Sequence, residues 1–201
     1  DLYSRYDFSE EDGSLPIVDQ TGNGNDLDAG QISGVGASIN GNQAGDFDGV
    51  DDQVNDSSNT SVPQPHTVAI VYQLRSLSPN HFVLADNGDT YYYYVRDDDG
   101  VDDYWYSARQ FNLTGGSGDT ETHIVSWMFD GSNSVARFDG TQVATGDAGA
   151  SAINGVRLGA RSDGTTNADM AFGEALIYNG DKSGIIGDIE SYLSDKWGVT
   201  L

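Results

Sequence analysis

The chain has 201 residues and carries 32 acidic side chains against nine basic ones, a formal net charge of −23. A negative field of this size repels nucleic acids and anionic membranes, so we exclude both as partners. There is no cysteine, which excludes disulfides, thiolate metal sites and thiol nucleophiles.

The length fits a single domain over residues 1–201. No apolar run approaches the roughly 20 residues that a membrane helix needs, so we expect no membrane insertion. The sequence begins with Asp1 rather than Met. We therefore expect a processed product or a piece of a longer protein.

The first quarter of the chain alternates strand-like runs with turns rich in Gly, Asn and Asp. Residues 2–8 alternate between apolar and polar side chains, which predicts a first strand. Residues 19–26 read Asp-Gln-Thr-Gly-Asn-Gly-Asn-Asp and predict a loop. Phe47 precedes an Asp48-Gly49 turn, and we expect the next strand to cover residues 50–54.

The centre and the later part of the chain predict a series of antiparallel strands. β-Branched and apolar residues at alternate positions are typical of strands, and Asp-Gly pairs between them are typical of hairpin turns. Asp-Gly turns at 130–131 and 139–140 divide residues 122–145 into a meander, and Asp99-Gly100 lies at the tip of a long hairpin. The predicted strands are 66–74, 82–85, 91–96, 104–111, 122–129, 134–138, 142–145, 156–159 and 170–178.

Only the end of the chain has helical periodicity. Ile189, Leu193 and Trp197 recur at helical spacing, with Ser183 as the predicted N-cap and Gly198 as the residue that ends the helix. Many short strands followed by one helix predict an antiparallel β-sandwich, and we expect the helix to pack across one end of it.

Several of these motifs, in this order, resemble the laminin-G-like and concanavalin A-like lectin modules. The resemblance extends over nearly all of the chain and implies one jelly-roll sandwich with a short C-terminal helix. It specifies the ligand poorly, since this fold hosts lectins, adhesion modules, structural domains and glycanases. The matching stretches are residues 6–8 with the loop 19–25, the corner 47–52, the meander 123–145 and the closing strand 173–179.

The resemblance also implies a structural Ca²⁺, which members of the family often hold between the Gly-Asn loop, the corner and an acid on the closing strand. Calcium takes about six to eight oxygen ligands. Glu174 lies in an otherwise apolar strand, where an unpaired carboxylate is costly. The alternative is that Gly and Asn only shape turns and that Glu174 faces solvent. The implied ligands are Asp19, Asn25, Asp51, Asp52 and Glu174.

Aromatic side chains are concentrated on the long hairpin. Successive side chains of a strand point to opposite faces, so one set belongs to the core and the other to the surface. The sequence leaves open which set is which. It also leaves open whether the aromatics stiffen the hairpin, stack on a glycan, or contact a partner chain. The candidate ligand or partner contacts are Tyr92, Tyr94, Tyr104, Trp105 and Tyr106.

The distribution of acids argues against catalysis. Glycoside hydrolysis needs two carboxyl groups about 5–9 Å apart, one of which stays protonated. Glycanases among the lectin-like modules carry two Glu with an intervening Asp on one strand, and no Glu of this chain forms that pattern. We therefore expect no enzyme activity and keep a glycanase as the minor alternative.

These observations predict a non-catalytic recognition module that binds a glycan or a cell-surface receptor, displayed outside the cell on a cell or virion surface. The alternative is a structural decoration domain, such as a capsid turret, spike or surface-layer component, which contacts neighbouring proteins or its own copies. The excess of Asp predicts adaptation to molar salt, where the Debye length is about 3 Å, and hence a halophile or a virus of a halophile as the source. A calcium-rich acidic surface is the competing interpretation.

Overall fold

A computed structural model describes residues 1–58, 60–77, 80–88, 90–98, 101–108, 111–113 and 119–201, with the backbone alone at 96–98, 101–108 and 111–113. Its strands are β1 (Leu2–Asp7), β2 (Ala29–Gln31), β3 (Gly34–Ile39), β4 (Asn42–Asp48), β5 (Gln53–Asn55), β6 (Ser61–Val62), β7 (His66–Leu74), β8 (His81–Ala85), β9 (Tyr91–Asp98), β10 (Val101–Ala108), β11 (Phe111–Leu113), β12 (Thr122–Phe129), β13 (Ser134–Phe138), β14 (Thr141–Gly146), β15 (Ile153–Asn154), β16 (Arg157–Leu158) and β17 (Asp169–Asn179). The helix α1 covers Ile186–Trp197, and 3-10 turns cover Phe8–Glu10, Gly131–Asn133 and Ser183–Ile185. Within the described ranges, no helix is long and apolar enough to cross a membrane.

The strands form two main antiparallel sheets. The first sheet has the order β14-β13-β12-β7-β17-β4-β3, and β1 pairs with β17 beside this path. The second sheet has the order β11-β10-β9-β8-β16-β5-β2. Neighbours in each sheet are often distant in sequence, as with β7, β17 and β4, so the chain repeatedly crosses between the layers.

The two sheets share one aromatic-rich core. Phe8, Phe47 and Phe172 meet edge to face, with ring centroids 5.6 to 6.4 Å apart. Tyr72 of the first sheet and Tyr93 of the second join their hydroxyl groups at 2.6 Å. Such edge-to-face pairs stabilise a core beyond the area they bury. The predicted antiparallel β-sandwich is confirmed.

The helix α1 lies on the outer face of the first sheet, so our prediction that it packs across one end was wrong. The physical reason is in β7, which is apolar on both faces and nearly all buried, and therefore needs cover on each side. Ile189, Leu193 and Trp197 provide that cover, packing on the outward side chains of Val71 and Leu176 among others. Trp197 lies against Gly173, where a Cβ atom would come within 3.0 Å of the indole ring.

The prediction for the ends of α1 is confirmed at the C-terminal end only. Gly198 ends the helix in the left-handed conformation at φ 76°, as expected for a residue without a Cβ. Ser183 is not the N-cap. It begins the 3-10 turn that precedes α1, and Asp181 accepts hydrogen bonds from both the backbone N–H and the hydroxyl group of Ser183.

The strand predictions are mostly confirmed, and the corner is the main exception. The strand expected from Val50 begins at Gln53, and Val50 is 74% exposed. The reason is that Asp48 Oδ1 accepts the N–H group of Val50 at 2.8 Å, which holds the backbone in a turn. The long hairpin is confirmed by the pairing of β9 with β10, while its tip at residues 99–100 lies outside the described residues.

Candidate functional site

Three aromatic rings form a platform on the outer face of the second sheet, which we call the aromatic platform: Phe82, Tyr92 and Tyr94. The rings of Phe82 and Tyr94 stack with centroids 4.9 Å apart and an interplanar angle of 11°. The Tyr92 ring lies 5.5 Å from each of them. All three are half-buried, whereas Tyr91 and Tyr93 are buried in the core. The structure thus separates the two tyrosine sets that the sequence left unassigned.

The register of β10 divides the other predicted contact residues between the two faces of the hairpin. Trp105 is the register partner of Tyr94, at a position that belongs to the platform face. Tyr104 and Tyr106 pair with Val95 and Tyr93, which are core positions. The side chains of residues 104–106 lie outside the described part, so their contact roles stay predictions.

The same outer face continues beyond the platform across two more strands, β16 and β5. Tyr92 pairs with Ala85, Ala85 pairs with Arg157, and Arg157 pairs with Asn55. Directly paired residues share a face of the sheet, so these side chains form one row. Ala85 is the small residue between Tyr92 and Arg157, and adjacent strands lie about 4.8 Å apart. The strands of Tyr92 and Arg157 are therefore about 10 Å apart, and Ala85 between them is only 1% exposed.

Arg157 is half-buried and held by one neighbouring side chain. Its Nη1 donates a hydrogen bond to Oε1 of Gln53, which lies on the adjacent strand β5. Its Nε is buried and has no hydrogen-bond partner among the described residues. Burial lowers the pKa of Arg157, and the charge of Asp163 opposes that shift. Our sequence analysis did not select Arg157 or Phe82, because their positions beside Tyr92 depend on the strand order.

The predicted calcium ligands of the Gly-Asn loop are engaged in local hydrogen bonds. Asp19 is buried and accepts from the backbone N–H of Arg5 at 3.1 Å and from the Thr21 hydroxyl at 2.7 Å. The backbone N–H of Asn25 donates to Asp19 at 3.3 Å, and the Asn25 amide donates to the Tyr3 carbonyl at 3.0 Å. The loop is therefore closed onto β1 by its own side chains.

The corner brings three carboxylates together. Asp48, Asp51 and Asp52 each offer an oxygen within 4.8 Å of the others, with the first two exposed and Asp52 buried. Asp52 also accepts from the backbone N–H of Asp48 at 2.9 Å. Two of the predicted calcium ligands, Asp51 and Asp52, thus lie in one cluster with an acid that we had not selected.

Glu174 does not fit the predicted calcium site. It is fully buried and accepts from Arg5 Nε at 2.8 Å, Lys196 Nζ at 2.9 Å and Trp197 Nε1 at 3.1 Å. The Tyr192 hydroxyl lies 3.0 and 3.2 Å from its two oxygens. Two cationic side chains already compensate the carboxylate and would repel a metal ion. The alternative of a solvent-facing Glu174 is also wrong.

Asp7 and Glu190 show that the buried acids between α1 and the first sheet share this kind of environment. Asp7 contacts both Arg5, at 2.5 Å, and Lys196. Burial alone would raise the pKa of Asp7, but hydrogen bonds from Lys196 and Ser9 outweigh it and lower that pKa. Glu190 accepts from Arg137 at 2.8 Å and from the Ser126 hydroxyl at 2.6 Å. These carboxylates hold the helix on the sheet.

Two histidines have pKa values that are shifted in opposite directions. His66 is buried between the rings of Tyr91 and Phe129, and burial lowers the pKa of His66 to about 4. His123 places a carboxylate against each ring nitrogen, Asp139 at Nδ1 and Asp119 at Nε2, both at 2.8 Å. Burial alone would lower the pKa of His123, but the two carboxylates outweigh it and raise that pKa.

Comparison with known proteins gives a fold and no family. No family model matches the sequence, and no curated protein matches it. Among solved structures, domain 4 of AbnA, a GH43 extracellular arabinanase from Geobacillus stearothermophilus in complex with arabinotriose, is 16% identical with a TM-score of 0.65, covering 98% of each chain.

Two further solved structures are similar to the chain over part of their own length. A GH54 α-L-arabinofuranosidase is 13% identical with a TM-score of 0.68, over 90% of this chain and 50% of that one. Trypanosoma rangeli sialidase in complex with sialic acid is 15% identical with a TM-score of 0.68, over 97% of this chain and 33% of that one. The chain therefore spans about half of the first enzyme and a third of the second. At 13–16% identity, these likenesses show a shared fold.

Proposed function

We propose that the chain is a non-catalytic module that recognises glycans through the aromatic platform on its second sheet. The observation that carries this proposal is the half-buried stack of Phe82, Tyr92 and Tyr94 on an outer sheet face. An AbnA domain of almost the same extent in complex with arabinotriose supports the same function.

The platform has the chemistry that sugar rings require. The C–H face of a pyranose or furanose is apolar and packs on an aromatic ring, while its hydroxyl groups need hydrogen-bond partners nearby. The tyrosine hydroxyl groups of the platform and the polar side chains of Gln53 and Asn55 on β5 belong to one continuous sheet face. The stacked geometry of Phe82 and Tyr94 fixes both rings before a ligand arrives, which limits the entropy lost on binding.

The finer assignment is a laminin-G-like, concanavalin A-like jelly roll that acts without catalysis, outside the cell. The crossovers between the two sheets support the jelly-roll topology. The pairing of the buried acids Asp7, Glu174 and Glu190 with cations supports the absence of catalysis, because a general acid must keep an exchangeable proton near neutrality. We keep a halophilic source and display on a cell or virion surface as parts of this proposal, on the strength of the −23 charge.

The decisive experiment is a neutral glycan array followed by calorimetric titration of each hit, with arabinotriose included. We expect Tyr94→Ala and Tyr92→Ala to weaken binding at least tenfold. Tyr94→Phe, the matched control, keeps the ring and should keep most of the affinity. Binding that survives both alanine variants would place the glycan elsewhere, and an array without any hit in dilute or molar salt would contradict the proposal.

A structural decoration role is the second candidate, and the same platform would serve it as a contact with neighbouring chains. Aromatic side chains are enriched at protein interfaces, and the row that contains Tyr92 gives a flat surface for one. Native mass measurement distinguishes the two functions. A fixed oligomer that dissociates in Tyr94→Ala, without any glycan hit, would favour the decoration role.

A structural calcium ion at the corner remains part of the proposal, with a smaller set of ligands than the sequence predicted. Asp48, Asp51 and Asp52 supply the hard oxygen ligands that calcium prefers, and Glu174 is no longer included. Titration with Tb³⁺, read by its luminescence, should saturate at one ion and respond to Asp51→Asn. An unchanged signal in that variant would remove the corner from consideration.

A further inference from the structure

Arg157 is an unusual cation in this protein. The chain has 32 acids for nine bases, so a basic side chain almost inevitably has a carboxylate beside it. Of the arginines whose side chains the structure describes, Arg157 is the only one without an ion pair. The others are paired: Arg5 with Asp7 and Glu174, Arg75 with Asp46 and Asp169, Arg137 with Glu190, and Arg161 with Asp163.

The guanidinium group is also incompletely hydrogen-bonded. Arg157 has five N–H donors, and in the described part of the chain its hydrogen bond goes to Gln53. Its buried Nε remains without a partner, which carries a free-energy cost. Holding this charged, partly desolvated guanidinium group in place lowers the stability of the folded chain. The remaining N–H groups of Nη1 and Nη2 are donors that a ligand with two acceptor oxygens would satisfy.

The position of Arg157 connects it to the aromatic platform. It lies in the same row as Tyr92, with the buried Ala85 between them. The strands of Tyr92 and Arg157 are about 10 Å apart, which is the scale of one sugar ring with its substituents. Gln53 restrains the guanidinium from the side opposite the platform. A sugar stacked on Tyr92 would thus extend one edge toward Arg157.

We propose that Arg157 and the aromatic platform together bind a saccharide that carries a carboxylate, such as a uronic or sialic acid residue. The sugar ring stacks on Tyr92, and its carboxylate accepts a two-pronged pair of hydrogen bonds from the guanidinium of Arg157. Such forked pairs are the strongest and most specific contacts that arginine makes with carboxylates. This inference rests on the proposed glycan-binding function and names the class of glycan.

The net charge of the protein does not prevent this contact. Repulsion between an acidic glycan and the −23 surface acts at long range and is screened beyond about 8 Å at 0.15 M salt and about 3 Å at 1 M salt. The charge of Asp163 acts on the pKa of Arg157, and Asp163 also lies 3.9 Å from Arg161. Molar salt reduces the repulsion that an acidic glycan meets as it approaches.

Matched pairs of probes test the proposal in calorimetric titrations at 0.15 M and 1 M NaCl, two conditions chosen from the screening lengths above. One pair is trigalacturonic acid and its methyl ester, and the other is sialyllactose and lactose. We expect the acid of at least one pair to bind the native chain about tenfold more tightly than its uncharged counterpart. The pair that shows this difference identifies the source of the carboxylate as a uronate or a sialate.

Variants assign the effect to Arg157. Arg157→Gln should reduce the affinity for the acid to that of the neutral probe, whereas Tyr92→Ala should weaken the binding of both probes. Arg157→Lys keeps the charge but loses the forked pair of donors. Its affinity for the acid should lie between those of the native chain and Arg157→Gln. Arg161→Gln is the matched control, since it removes the same charge from an exposed, ion-paired arginine and should change little.

Several results would overturn the inference, and they differ from failure of the proposed function. Equal affinities for acid and neutral probes, or an acid preference that survives Arg157→Gln, would remove the carboxylate role while glycan recognition stands. Absence of binding for every saccharide would remove both. Thermal unfolding of each variant confirms that it is folded before its affinity is compared.

Discussion

Replacing Glu174 by glutamine decides between two explanations of a buried acid, a calcium ligand and an ion-pair centre. Glutamine has nearly the same shape but no charge, and its amide N–H groups would face Lys196 and Trp197, which are donors. Removing one partner of a buried ion pair costs about 3–5 kcal/mol. The side chains of Arg5 and Lys196 are 27% and 20% exposed, and Asp7 remains as a second partner for both, so we expect a value near the lower limit. We therefore predict a loss of about 3 kcal/mol, or roughly 10 °C in melting temperature for a chain of this size.

The assay is urea unfolding of the native chain and Glu174→Gln, each with calcium and with a chelator. The matched control is Glu190→Gln, which removes a second buried carboxylate, on the sheet-facing side of α1, that accepts from Arg137. If both acids are ion-pair centres, both variants lose stability to a similar degree, with or without calcium. A loss below about 1 kcal/mol, or a loss that the chelator reproduces in the native chain and not in Glu174→Gln, would refute this reasoning.

Three further predictions concern pH and salt. His66 stays neutral in the folded state because its pKa is lowered from 6.5 to about 4, so stability should fall by up to about 3 kcal/mol between pH 6.5 and 4 as the unfolded chain takes up the proton. His66→Phe should lack that fall in urea unfolding, and an equal fall in both proteins would contradict the assignment. The pKa of His123 is raised in the folded state, so its contribution to stability is complete below pH 6.5 and is lost as the pH rises through the folded-state pKa. His123→Gln should therefore destabilise the protein most in acid and least in alkali. The −23 charge predicts a melting temperature that rises from dilute buffer to molar KCl, and a flat or falling curve would count against a halophilic source.

Strand positions were predictable because they depend on local patterns. The alternation of β-branched residues in β7 and β12, and the Asp-Gly turns between β12, β13 and β14, determine their bounds almost without reference to the rest of the chain. The place of α1 was not predictable in the same way. Its apolar stripe predicts burial, but only the strand order reveals that β7 is the central strand whose outer face needs cover.

In the candidate site, too, local patterns were predictable and features that depend on strand order were not. Four consecutive tyrosines indicated a surface aromatic cluster, but the choice between Tyr92 with Tyr94 and Tyr91 with Tyr93 required the register with β8. Arg157 enters the site only because β16 inserts between β8 and β5, which are distant in sequence. The sequence indicated that the Glu174 carboxylate needs a counter-ion. The two cations that pair with it, Arg5 of β1 and Lys196 of α1, could not be distinguished from a metal ion by composition.

The pairing of β1 with β17 has a consequence for synthesis of the protein. Arg5 and Glu174 are 169 positions apart, and they meet where β1 pairs with β17. A nascent chain on the ribosome must therefore keep β1 unpaired until β17 and α1 have emerged from the exit tunnel. During that interval the two-sided apolar strand β7 lacks its final neighbours. Protection of this intermediate by a chaperone, or by the rate of translation through β17 and α1, would then control the yield of folded protein.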